Sequence, residues 1–236
     1  MKELFDVHCH IIPGVDDGAR NLEEAVNMLL MEKKQGVKNI IATPHFRFKM
    51  FETDLQTVKK QFALLKREAD KLELNLYLGC EFHSTMEMVS MLKKEQVSTM
   101  AGSRYVLVEF SGGDSASHIK ERVYSLISAG YKPVIAHIER YEALYKQYDF
   151  IEELAEMGAR MQVNADSIIG KEGFSVKRFC KKLMQYDLLS FVGSDCHDCR
   201  ERVSRIGEAY AYAAKKLGED YADRIFITNP YKIINL

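Results

Sequence analysis

A chain of 236 residues with 47% apolar residues can bury one large core, and 33 Lys and Arg against 34 Asp and Glu leave a net charge of −1. That balance supplies no global field for nucleic acid or an anionic membrane surface, so a small anion has to be bound by a local arrangement of side chains. No basic flank precedes an apolar run at the N-terminus, and no stretch approaches the roughly 20 apolar residues that span a bilayer, which predicts a cytoplasmic protein with no membrane insertion.

Taken in chain order, Leu4 to His8 is the first strand, ending on His8-Cys9-His10. The period of two turns both imidazoles to one face. Pro13-Gly14-Val15-Asp16-Asp17-Gly18 follows, a turn-forming run that cannot continue the strand and that holds two carboxylates near the histidines. Asn21-Leu22-Glu23-Glu24 reads as an N-cap with an acidic first turn, Leu22, Ala25, Val26, Leu29 and Leu30 recur at helical spacing, and Gly36 closes the helix. Val37 to Thr43 is the second strand. An amphipathic helix over Asp54 to Leu72 leads to a strand at Leu76 to Leu78, ended by Gly79.

The alternation continues with strands at Tyr105 to Val108, Val134 to Ala136, Met161 to Val163 and Leu188 to Val192. Helices are predicted over Ser117 to Ala129, Phe150 to Met157, Val176 to Tyr186 and Val203 to Leu217. Strands recurring about every 30 residues between helices are the signature of serial βα units and a parallel sheet. Seven such units predict an α/β barrel or near-barrel. No low-complexity linker interrupts them, so residues 1–236 read as a single domain.

The polar residues fall in phase with that pattern. His8 and His10 end the first strand, Thr43-Pro44-His45 the second, Glu81 the third, Glu109 the fourth, His137 the fifth, Asn164 the sixth, and Asp195 and His197 the seventh. Parallel barrels place their active sites at this C-terminal face, where the loops converge. Any one of these residues has a bland explanation as a loop or core residue; the set together does not. Histidines and carboxylates without thiolate suit Mn²⁺, Zn²⁺ or Fe²⁺. Eight or nine ligands exceed the needs of one ion, so two or three ions bridged by a carboxylate are expected. Such a cluster can turn bound water into hydroxide near neutral pH and so drive hydrolysis.

Five cysteines without a secretion signal argue for reduced thiols. Cys9, Cys80 and Cys196 each neighbour candidate ligands, but alternation points their sulfurs away, as small apolar fillers. Cys196 to Arg202 matches the C-x₅-R spacing of cysteine-dependent phosphatases. That loop needs small residues so that backbone amides can wrap a phosphate, and here it carries charged side chains instead. Cys196-x-x-Cys199 lacks a thioredoxin-like setting.

His8-Cys9-His10, Pro13 to Gly18, Thr43-Pro44-His45, Pro133 to Tyr141 (PVIAHIERY) and Ser194-Asp195-Cys196-His197 resemble the polymerase and histidinol phosphatase (PHP) superfamily. Within it they most resemble the bacterial manganese-dependent protein tyrosine phosphatases of capsular and exopolysaccharide operons. The similarity runs from residue 3 to Asn229-Pro230. It implies a distorted seven-stranded βα barrel, TIM-barrel-like, and Mn²⁺ as cofactor, with Fe²⁺ or Zn²⁺ as substitutes. Carried over by position, one ion takes His8, His10, Glu81 and Asp195. A second takes Glu81 as bridge, Glu109 and His137, and a third Asp17, His45 and His197. Arg140 and Arg202 resemble the family's phosphate-binding arginines, and Arg47 is a weaker third candidate; a guanidinium fork matches phosphate oxygens and stabilises charge in phosphoryl transfer. The alternative for Arg140 is a surface salt bridge with Glu139 or Glu142.

The resemblance implies a substrate in the phosphotyrosine-bearing C-terminal tail of a cognate bacterial tyrosine kinase that controls polysaccharide export; a homo-oligomer is left open. A phenolate, with a pKa near 10, leaves more easily than an alkoxide, with assistance from metal or from His197. Phe46-Arg47-Phe48-Lys49-Met50-Phe51 offers either a phosphopeptide contact or rim packing. His83 and His118 are read as structural. Two rival readings remain: a PHP phosphatase acting on a small metabolite such as histidinol phosphate, and a non-catalytic metal-binding regulator of a kinase.

Overall fold

A computed structural model describes residues 2–235. Along the chain it runs β1 (Leu4–Cys9), α1 (Leu22–Lys34), β2 (Val37–Ala42), β3 (His45–Phe46), α2 (Leu55–Lys71), β4 (Asn75–Leu78), β5 (Glu81–His83) and α3 (Met88–Lys93). It continues with β6 (Tyr105–Glu109), α4 (Ala116–Ser128), β7 (Lys132–Ile135), α5 (Tyr148–Met157), β8 (Arg160–Asn164), α6 (Ala165–Ile169), α7 (Phe174–Gln185) and β9 (Phe191–Gly193). Helices α8 (Ile206–Leu217), α9 (Glu219–Asp223) and α10 (Asn229–Ile234) complete it, with a π-helical turn at Arg224–Thr228 between the last two. Each predicted strand and helix is present with ends shifted by up to a few residues. The short pieces β3, β5, α3, α6, α9 and α10 are additions. No helix among the described residues is long and apolar enough to cross a membrane.

Every strand ladder is parallel. Two strand positions are broken in the middle. β2 stops at Thr43-Pro44, where proline has no N–H to give, and resumes as β3; β4 stops at Gly79 and resumes as β5. Gly79 N–H still donates to Ala42 O (2.7 Å) and Glu81 N–H to Pro44 O (3.0 Å), so the breaks bend the sheet without parting it. At the far edge Asp195 N–H donates to His8 O (2.7 Å) and His10 N–H to Cys196 O (2.9 Å), tying the end of β9 back to β1. The result is a curled parallel sheet of seven strand positions, the α/β barrel architecture expected.

The core has two layers. Helix faces pack on the outer side of the strands through residues such as Ala25, Met28, Leu29, Val106, Val108 and Ile135. Phe5, Val7, Ile41, Leu107, Val134 and Phe191 face one another from the strands, joined by Ile233 of α10. This second cluster fills the lower interior, as in other parallel barrels.

A bulge in β1 decides what lies above that plug. Phe5 and Val7 belong to the interior cluster, and strict alternation would bring Cys9 in with them. Instead Cys9 packs in the outer layer, and the β1–β2 register slips between Asp6 and Cys9. One irregular step reverses the parity and turns His8 and His10 inward over the plug. The simple alternation read from the sequence has the right faces for all three residues but lacks the bulge that produces them.

Candidate metal centre

Above the apolar plug the strand ends deliver polar side chains with almost no exposure to water: His8, His10 and Glu81 are 0% exposed and His137, Asp195 and His197 within a few per cent. Three overlapping groups have ligand atoms within 4.8 Å of one another: His8, His10, Glu81 and Asp195; His10, Asp17, His45 and His197; and His45, Glu81 and Glu109. Glu81 is shared by the first and third. Its Oε2 lies 3.2 Å from His8 Nε2, 3.2 Å from His10 Nε2 and 3.0 Å from His45 Nδ1, while Oε1 lies 2.7 Å from His137 Nε2. All nine residues singled out as ligands therefore meet in one place. His137 joins through Glu81 alone, and His10 also borders the Asp17 group.

These distances are not those of a satisfied hydrogen-bond network. His45 Nδ1, Glu81 Oε2, Glu109 Oε2 and His197 Nε2 are buried and have no hydrogen-bond partner among the described residues, although each has polar atoms nearby. Orphaned polar atoms converging on shared points are costly unless a further group satisfies them. The electrostatics agree. Burial opposes charge on His8 and His10, yet Glu81 and Asp195 beside His8, and Asp16, Asp195 and Glu81 beside His10, outweigh it and raise both imidazoles. The same anionic field would hold a divalent cation, and the mixed imidazole and carboxylate donors fit one of borderline or hard character. Elsewhere burial dominates: it pushes Glu109 up to about 7, with Glu81 adding, and lowers His45 to about 4, with His10 adding.

A second layer of residues orients these groups. Asp16 accepts from His10 Nδ1 (2.9 Å), from His45 N–H (2.9 Å) and from Gly18 N–H (3.0 Å), so it fixes two histidines and its own loop. Gly18 lets that loop approach: a Cβ there would lie 2.0 Å from His10 O. Gln162 Oε1 accepts from His137 N–H (2.9 Å) and faces His8 Nδ1 (3.2 Å). Tyr141 O–H meets His137 Nδ1 (3.1 Å), and Asn164 Nδ2 donates to Asp195 Oδ2 (3.0 Å). Asp6 accepts from Ser194 N–H (2.8 Å), just before Asp195. His137 (φ 28°) and Asp195 (φ 55°) sit in left-handed backbone, a cost of about 1–3 kcal/mol each that the surrounding packing must hold. Gln162 and Asp6 escape sequence reading because they orient candidate ligands and are not candidates themselves; Asp16 carried a signal as the neighbour of Asp17, and Tyr141 as the end of the PVIAHIERY motif.

Arg140 Nη1 lies 2.8 Å from Asp195 Oδ2, and Arg202 Nη2 3.2 Å from the same atom, with Arg202 Nη1 3.9 Å from Asp17 Oδ2. Arg140 therefore does not pair with Glu139 or Glu142. Glu139 turns inward to accept from Asn164 N–H (2.8 Å). Both guanidinium groups border the cluster, each with about 40% of its side chain exposed, one edge on the carboxylate and one toward solvent. Arg47 stands close enough to lower Glu109 and His83. His83 Nε2 meets Ser111 Oγ and His118 Nε2 meets Ser84 Oγ, each at 3.2 Å, and neither joins the three groups above. Cys9, Cys80 and Cys196 are buried, and Cys196 Sγ faces Glu32 Oε1 at 3.5 Å behind the cluster, so the C-x₅-R spacing forms no phosphate loop around its sulfur.

Residues 4–235 match the family model described as capsular polysaccharide synthesis, CpsB/CapC. Among curated proteins the chain is 35% identical to tyrosine-protein phosphatase CpsB of Streptococcus pneumoniae, with 98% of each chain covered. It is 30% identical to tyrosine-protein phosphatase YwqE of Bacillus subtilis, covering 92% of this chain and 86% of that one. A crystal structure from work on YwqE and CpsB, described as unique metal-dependent tyrosine phosphatases, superposes with a TM-score of 0.90 at 29% identity over 98% of this chain and 94% of the other. An amidohydrolase from Mycoplasma synoviae shares the fold at a TM-score of 0.64, with 15% identity and coverage of 98% and 87%.

Proposed function

This chain belongs to the CpsB/CapC family of capsular polysaccharide synthesis proteins, and on that premise we propose that it is a metal-dependent protein-tyrosine phosphatase. The observation that carries the reading is the convergence of orphaned imidazole and carboxylate atoms beside two arginines at the mouth of the barrel. His8, His10, Glu81 and Asp195 would hold one ion, Glu81, Glu109 and His137 a second, and Asp17, His45 and His197 a third, with Mn²⁺ the ion that the sequence resemblance implies and that the donor set accepts, as it does Zn²⁺ or Fe²⁺. Bound there, divalent ions would polarise a phosphoryl oxygen and acidify water.

The chain's own residues do the rest. Arg140 and Arg202 share Asp195 as anchor, and their remaining N–H groups would take the phosphate oxygens and stabilise the charge that grows during transfer. Arg47 would add a third cation on the loop after His45. His197 Nδ1 donates to Asp195 O (2.9 Å), which leaves Nε2 as the free lone pair. That tautomer favours ligation over proton donation. A phenolate leaving group, with a pKa near 10, tolerates the lack of a strong acid. The natural substrate would be the phosphotyrosine-bearing tail of a cognate kinase.

Direct comparison separates the two enzyme readings. Metal-loaded protein should hydrolyse a tyrosine-phosphorylated peptide at a kcat/KM at least about tenfold above that for histidinol phosphate, a difference of about 1.4 kcal/mol. The reverse order would favour the small-metabolite reading, and no hydrolysis of either would leave the regulator.

A further inference from the structure

Away from the histidine cluster, a cavity of about 490 Å³ opens beside the start of α5 and along α7, from Phe174 at its first residue to Lys182 in its last turn. Three cations, Lys146, Arg178 and Lys182, and three aromatic rings, Tyr145, Tyr148 and Phe174, line it, with Ser175 on one wall and no carboxylate. In a chain of net charge −1, a lining of three positive charges is a local feature. Among the described residues two of these cations rest on rings: Lys146 Nζ stands 4.8 Å from the Tyr145 centroid and Lys182 Nζ 5.3 Å from that of Tyr186. Ammonium groups left over ring faces remain available to an anion.

The rings are held from behind. Tyr145 and Tyr148 both pack on the buried Phe179, with centroids 5.2 and 5.6 Å apart, and Tyr148 meets Tyr186 edge-on at 5.2 Å. Phe174 leaves 78% of its surface in water at the rim, a ring with nothing to cover it in the free protein. Position ties the cavity to the metal centre. Tyr145 to Tyr148 close the loop that begins after β7 and carries Arg140, and α7 packs against the 3₁₀ turn Ile138–Arg140 itself.

We propose that this cavity is a second aryl-phosphate site, which holds a further phosphotyrosine of the same polypeptide while another is hydrolysed at the metal centre. The proposal rests on the phosphatase reading above. The Arg178 fork and the two lysines suit the phosphate oxygens, and the tyrosine and phenylalanine rings suit the phenyl group. The lining has no histidine, carboxylate or thiol, so the second phosphate is held and not cleaved. Engagement of both sites makes the second contact intramolecular, which selects multiply phosphorylated chains over singly phosphorylated ones.

The test uses the metal-loaded full chain with fluorescent peptides that carry one phosphotyrosine, or two separated by about four to about ten residues, reaching roughly 14–35 Å when extended. The expected result is a Kd and KM about tenfold lower for the doubly phosphorylated peptide at the best spacing. The R178E/K182E variant should lose that preference, and Phe174→Ala should weaken it, with p-nitrophenyl phosphate turnover within about twofold of wild type because that substrate engages the metal centre alone. Unchanged peptide binding in R178E/K182E would overturn the proposal. So would equal affinity for a peptide in which glutamate replaces the second phosphotyrosine, since that is general charge attraction. Failure of the phosphatase reading is seen separately, as absent turnover of p-nitrophenyl phosphate by wild type, while the binding measurement still decides the cavity.

Discussion

At the scale of single residues, the site is a contest between burial and opposite charge, and Arg140 shows how it is used. Its guanidinium anchors on Asp195 (2.8 Å) and keeps part of its surface exposed, which would set its position in advance for the phosphate-binding role proposed above. Arg140→Ala is expected to lower kcat about 10²–10³-fold, ~3–4 kcal/mol of transition-state stabilisation, with metal content retained. A rate within twofold of wild type would remove Arg140 from the reaction. Behind the ligands, burial and the neighbouring Asp6 hold the Glu32 carboxyl well above the usual carboxylate range. A raised folded pKa means that the native state keeps a proton which the unfolded chain releases, so this group costs stability as pH rises from about 4 toward the folded value. Glu32→Gln removes that slope. Denaturant midpoints of metal-stripped protein between pH 5 and 8 should fall more steeply for wild type than for the variant, and parallel curves would contradict it.

At the scale of elements, β1 and the loop that follows it carry the site's precision. Gly18 has no room for a side chain, because a Cβ would meet His10 O at 2.0 Å and His10 Cβ at 2.6 Å. Gly18→Ala should therefore displace Asp16 and Asp17 and cost activity about 100-fold by misplacing ligands by about an ångström, with helical circular dichroism unchanged. Asp54→Ala is the opposite case: it removes the N-cap of α2, whose Oδ1 accepts from Gln56 and Thr57 N–H at 3.0 Å, and should cost about 1 kcal/mol in urea unfolding with turnover intact. The βα alternation was legible because apolar period and caps are local, as at Asn21, whose side chain accepts from Glu24 N–H as its sequence context implies. The bulge in β1 was not, since it appears only when register against β2 is known. For the same reason eight of the nine ligand candidates could be read from strand ends and Asp17 from the turn run after β1, while Gln162 and Asp6 could not. Gln162 acts on His137 and Asp6 on Ser194, partners distant in the chain that nothing in the local sequence marks.

For the whole molecule, the two-layer core explains why one end of the barrel is free to be polar. Phe5, Val7, Leu107, Val134 and Phe191 fill the lower interior, so the histidines and carboxylates above them need contribute nothing to hydrophobic stability. They can be arranged for a cation, and without one they leave buried atoms unpaired. Divalent metal should accordingly raise thermal stability as well as activity, by mass action on the folded state. The most direct measurement is hydrolysis of a tyrosine-phosphorylated peptide by chelator-stripped protein before and after Mn²⁺ is added, with Cys196→Ser assayed alongside. Activity that disappears on stripping, returns with Mn²⁺ and is indifferent to the serine substitution is the predicted result. Activity that survives stripping and is lost in Cys196→Ser would contradict the account and put the chemistry on the thiol.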